Sequence, residues 1–118
     1  MFENAEIVKG CRIISAVFTE TSSDTLRKMC ERIVANGPKA VMVIGGIKNG
    51  KATLACACGE EARKHGANAG KIVKAVAQIA GGNGGGKPDI AMAGAKDISK
   101  MDDAIKAVKG IVIDMITE

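Results

Sequence analysis

A chain of 118 residues, 47% apolar and 25% charged, is long enough to bury a core without disulfide or metal staples and has the balance of one globular domain. It has no apolar run near the ~18 residues that cross a bilayer, and its start, "MFENAEIVKG", lacks the basic and apolar segments of a secretion signal, so a cytoplasmic location and no membrane partner are expected. The net charge is +4, but residues 39–100 hold ten Lys or Arg against four acids, which suits either a polyanionic partner or a solvated lysine-rich surface. Phe2 and Phe18 are the only aromatics, which argues against binding single strands by stacking bases on aromatic platforms.

Residues 13–18, "IISAVF", follow the alternating "IVKGCR" and read as a strand. A helix should begin near Ser22 or Ser23, either of which can cap the first-turn N–H groups. Leu26, Met29, Cys30 and Ile33 then form its apolar face, and Asn36-Gly37-Pro38 ends it, with Gly37 in a left-handed cap. Residues 40–46, "AVMVIGG", are bounded by turn residues and read as a central strand buried on both faces. Asn49-Gly50 between two apolar runs predicts a hairpin, because both residues tolerate positive φ. The returning strand, residues 51–58, should point Ala52, Leu54, Cys56 and Cys58 to one face.

"EEARKHGANAG" reads as a polar connection, followed by a helix from Asn68 to Ala80 that buries Ile72, Val73, Val76 and Ile79 and turns Lys71 and Lys74 outward. A glycine loop comes next, and then "PDIAMAGA", a short edge strand. Asp97 or Ser99 can cap a last helix whose stripe is Met101, Ile105, Val108, Val112 and Ile116, with Gly110 as its weak point. The expected fold class is α/β: a single-domain sandwich of a mixed sheet with an Asn-Gly hairpin and about three packed helices.

No constellation for catalysis emerges. "GGNGGGK" approaches a P-loop, but the glycines follow a helix, and Pro88 stands where the Mg²⁺-binding hydroxyl should be. The glycines serve either as a flexible linker or as backbone that permits close approach, and with Lys87 they could present N–H groups to a phosphate. The cysteines at 11, 30, 56 and 58 lie in apolar stretches and suit reduced, buried thiols. Cys56 and Cys58 lack the partners and spacing of a structural zinc site, and the one histidine, His65, neighbours no nucleophile. The acid pairs Glu60-Glu61 and Asp102-Asp103 fall at expected helix starts, where the dipole favours them. No metal, cofactor or catalytic residue is expected.

"AGGNGGGKPDIAMAGAKD" resembles the glycine-rich signature near the C-terminus of alanyl-tRNA synthetases, a member type of the DHH-associated domain family. "DTLRKMCERI", "NGKATLACACG", "ANAGKIVKAVAQIAGG" and "DDAIKAVK" extend the similarity over residues 7–113. Lys87 stands for the commoner arginine and Ala95 for a glycine. The resemblance implies a C-terminal domain alone, either excised or free-standing, without aminoacylation or editing motifs. It would be a non-catalytic tRNA-binding module that contacts the outer corner of tRNA and works beside the catalytic and editing domains of alanine–tRNA ligase. Within it, Lys71, Lys74, Lys87 and Lys96 would contact phosphates, while Asn83, Gly84, Gly85 and Gly86 allow close backbone approach. A homodimerisation module and the substrate-binding domain of a DHH-type phosphoesterase are the alternatives.

Overall fold

The computed structural model describes residues 6–8, 11–48 and 50–116. Strands β1 (Glu6–Val8), β2 (Cys11–Thr19), β3 (Ala40–Lys48), β4 (Lys51–Cys58), β5 (Asn83–Gly86) and β6 (Ile90–Ala95) form one six-stranded sheet in the order β1-β2-β3-β4-β6-β5. Only β2 and β3 run parallel, and helix α1 (Ser23–Asn36) connects them. The sheet is therefore mixed, as its hairpins and single crossover require.

Helices cover the two faces unequally. On one face α1 packs alone, with Leu26 and Cys30 against Ile14, Met42, Ile44, Ala55 and Ala57. On the other lie α3 (Ala69–Ile79), α4 (Met101–Lys106) and α5 (Val108–Met115), over Val41, Val43, Leu54, Cys56 and Cys58. Strands β3 and β4 are buried on both sides, which explains their near-continuous apolar sequence. They pair antiparallel with Lys48 opposite Lys51, and Gly50 sits in the turn at φ +75°. Asn49, the other predicted turn residue, lies outside the described residues.

Both long-helix caps fall where the side chains direct them. The Ser22 hydroxyl accepts the Thr25 N–H, and the Asn68 side-chain oxygen, Oδ1, accepts the Lys71 N–H at 3.1 Å. Gly37 ends α1 at φ −121°, not in the expected left-handed cap, and its N–H donates to Ile33. Glycine relieves crowding there, since a Cβ would stand a tight 3.1 Å from that of Ala40 and 3.2 Å from the Ile33 carbonyl oxygen. The "polar connection" contains a short helix, α2 (Glu60–Lys64), within which Lys64 pairs with Glu60 and Glu61. The last helix breaks at Ala107 rather than at Gly110. The Ala107 N–H is divided among the carbonyls of the preceding turn, which tightens one turn between α4 and α5.

The largest departure concerns the glycines. Residues 83–86 are not a loop but the edge strand β5, while β6, the expected edge, lies inside between β4 and β5. Glycine is depleted in strands because it packs nothing and loses most entropy, so propensity points the wrong way here.

The thiols of Cys30, Cys56 and Cys58 are free and buried; the Cys11 side chain lies outside the described residues. Burial, then the nearby Cys58 and Glu31, pushes the Cys30 thiol from its ordinary 9.0 up to about 12, and burial raises Cys56 as well. The folded thiol stays protonated while the unfolded one ionises, so the unfolded chain binds fewer protons above pH 9. Stability from Cys30 is thus complete below pH 9 and is lost as pH rises toward 12. Urea unfolding between pH 8 and pH 11 should show a decline above pH 9, steeper by about 1 kcal/mol per pH unit than in Cys30→Ala.

Candidate nucleic-acid interface

Strand β5 occupies a site with no room for side chains on one face. A Cβ on Gly82 would strike the Gly94 carbonyl oxygen, and one on Gly84 would strike Ala93. From above, Gly70 of α3 approaches so closely that its own Cβ would lie 2.6 Å from the Gly86 carbonyl oxygen. The glycines therefore let the edge strand slip beneath the start of α3. Alternation then aims Gly85 the other way, where a Cβ would meet nothing within 4 Å, and the same is true of Gly94 on β6.

The bend that follows is held by backbone groups. The Pro88 carbonyl accepts the Ala69 N–H at 2.9 Å, one of the first-turn donors of α3, and the Asp89 carbonyl accepts the Cys58 N–H at 2.8 Å. The Asp89 carboxylate takes the N–H of Ile90, also at 2.8 Å. Proline, which needs no donor, and aspartate, which supplies an extra acceptor, suit these positions. Lys87 is thereby set at one end of β5. Lys96 lies at the other end, beside Gly81, where the Asp97 N–H donates to the Ala80 carbonyl.

Because α1 packs chiefly over β3 and β4, the β6–β5 side of its face stays open. Two hollows mark this strip. One, of about 440 Å³, lies between Arg27 and Glu31 of α1 and Gly85, Gly86, Lys87 and Met92. The other, of about 380 Å³, is lined by Ser23, Thr53, Asn83, Met92 and Gly94. Arg27 and Glu31 pair at 3.6 Å with their side chains 68% and 59% exposed, so the pair contributes little stability and Arg27 can be drawn to another anion. Asn83 turns its side-chain oxygen onto the N–H of Gly84 at 2.9 Å.

The residues singled out in the sequence do not all meet. Asn83, Gly85, Gly86 and Lys87 line the open strip, whereas Gly84 faces the α3 layer, where its task is packing. Lys71 and Lys74 are exposed on α3, in the layer across the sheet, and Lys96 stands apart beyond β6. Arg27, Ser23, Thr53 and Met92 belong to the strip but had no motif; only the period-2 alternation of β4 and β6 could have put Thr53 and Met92 on one face. The strip offers bare peptide backbone, hydroxyls and the cations Arg27 and Lys87, with the carboxylates of Glu31 and Asp89 beside them. Among the described residues no group of three His, Cys, Asp or Glu could hold a metal. Such a surface can bind an anionic polymer by shape and charge.

Comparison with known proteins matches the DHHA1 domain family to residues 10–114. The chain belongs to the DHHA1 domain family. It is 37% identical to an alanine–tRNA ligase of Dehalococcoides mccartyi over 112 residues, which are 95% of this chain and 13% of that protein. Among solved structures, this DHHA1 domain resembles the C-Ala domain of Aquifex aeolicus alanyl-tRNA synthetase with a TM-score of 0.82 at 27% identity, covering 92% of this chain and 97% of that one. A DHH-domain protein described as a member of the s1p family of ribosomal proteins shares the fold at a TM-score of 0.64 and 15% identity, covering 96% of this chain and 28% of that one.

The two faces of β5 should respond oppositely to a methyl group. Gly84→Ala should destabilise the domain by about 1–3 kcal/mol through overpacking against Ala93. Gly85→Ala, which meets open space, should leave stability within about 0.5 kcal/mol of the parent. Urea midpoints of the two variants check this.

Proposed function

We propose that this chain is the C-terminal tRNA-binding module of an alanyl-tRNA synthetase, non-catalytic in itself, which holds tRNA for aminoacylation and editing by other domains. The observation that carries this reading is the likeness to the Aquifex C-Ala domain, which extends over 97% of that domain. A lysine-flanked edge with almost no side chains supports it, since folded RNA is read largely by shape and phosphates.

In this reading the corner of the tRNA lies across β5. Lys87 and Lys96 contact phosphates at its two ends, Lys71 and Lys74 reach others from the α3 layer, and Asn83 with residues 84–86 lets the RNA backbone come close. The module works in the cytoplasm, needs no cofactor of its own and has the catalytic and editing domains as its partners. Discrimination for alanine rests with those domains.

The test is binding of the chain to tRNA-Ala, a second tRNA and a simple RNA hairpin across a salt series. Both tRNAs should bind at least about tenfold tighter than the hairpin, and their affinity should fall by roughly 10²-fold between 50 and 200 mM salt, as for a few phosphate contacts. Equal, weak binding to all three would overturn the reading. A concentration-dependent dimer in light scattering would then favour pairing of two copies, for which an uncovered edge strand is suited.

A further inference from the structure

Lys48 and Lys51 stand directly opposite each other across the β3–β4 pair. Alternation puts them on the α1 face. Lys48 follows Ile44 and Gly46 in phase, and Lys51 precedes Thr53 and Ala55, of which Ile44 and Ala55 pack in the α1 core. Like charges opposite each other on one face destabilise a strand pair. Both side chains are exposed, and among the described residues neither forms a salt bridge. Their juxtaposition therefore works against the fold unless something anionic answers it.

The two lysines close a hollow of about 230 Å³ whose other walls include Thr21, Ser22, Ser23 and Thr53, and among the described residues no carboxylate lines it. Ser23 and Thr53 also line the hollow beside Asn83 and Gly94, so the two adjoin across these residues. Register gives the span. From Lys51 it is two residues along β4 to Thr53, which pairs with Gly94, which in turn pairs with Asn83. Strand rise and sheet spacing put the two ends of that path roughly 12 Å apart in a straight line, short enough for one stretch of RNA backbone to touch both.

From this juxtaposition we infer that Lys48 and Lys51 form a second phosphate-binding locus, reached by the same RNA that lies on β5. The RNA backbone passes from the glycine edge over Thr53 and Ser23 into the hydroxyl-lined hollow. This rests on the RNA-binding reading above and extends the contact surface to the hairpin end of the sheet, away from the lysines of α3.

The experiment compares tRNA affinity and its salt slope for the parent chain, for Lys48→Glu/Lys51→Glu, and for Lys39→Glu/Lys106→Glu. The last pair makes the same charge change at exposed sites outside this hollow. The hairpin variant should lose at least about tenfold in affinity and flatten the salt slope by nearly two, one phosphate per lysine, while the control changes less than about threefold. Lys48→Gln/Lys51→Gln removes the mutual repulsion, so it should fold at least as stably as the parent and still lose affinity. Equal losses in the hairpin and control variants, or an unchanged hairpin variant in a parent that binds, would overturn the inference and leave the RNA reading standing. A parent that binds no tRNA would remove both.

Discussion

The contact on which the rest of this domain depends is that between β5 and the elements around it, where three backbones meet without side chains between them. Gly82 and Gly84 lie against β6, and Gly70 brings the start of α3 down onto Gly86. A strand of larger residues would be pushed away from both neighbours, and the first turn of α3 would lose its bond to Pro88. Glycine weakens a strand in isolation. Here that loss is offset by closeness, because the edge strand, the helix start and the bend at Pro88 and Asp89 lock one another in place.

The same constraint shapes the surface. Close packing uses one face of β5 and leaves the opposite face bare, with Gly85 and Gly94 pointing no side chain outward. Three helices cover the first face and one covers the second, so the bare strip remains open beside α1. Bare peptide flanked by cations and hydroxyls suits a bulky polyanion whose own shape supplies the specificity. Packing and recognition are thus two sides of one strand, and the glycines cannot be assigned wholly to either.

Much of the fold was legible in one dimension. The apolar stripe of α1, the cap at Ser22, and the alternation of β4 are local consequences of period, capping chemistry and burial, and each lies where those rules put it. Gly37 was read through its conformational freedom, whereas it is crowded by Ile33 and Ala40; of the two readings open for the glycine run, close approach holds at Gly82 and Gly84, against residues of β6 about ten positions on. The candidate site was legible only in part. Lys87 and its glycines could be found from their pattern, but Arg27, Met92 and the lysine pair at 48 and 51 carry no motif and gain meaning from where the sheet places them.

By itself, the sequence determined α1, α3, the β3–β4 hairpin, the two-sided burial of β3 and the signature that ties the chain to its family, since all of these follow from neighbouring residues or from a contiguous run. Only the tertiary structure decided that the glycine run is an edge strand, that Lys71 and Lys74 lie across the sheet from the open strip, and that Lys48 and Lys51 lie beside it. Those facts depend on strand order and on which face each helix covers. Strand order is set by the packing of residues tens of positions apart, and no local period carries that information.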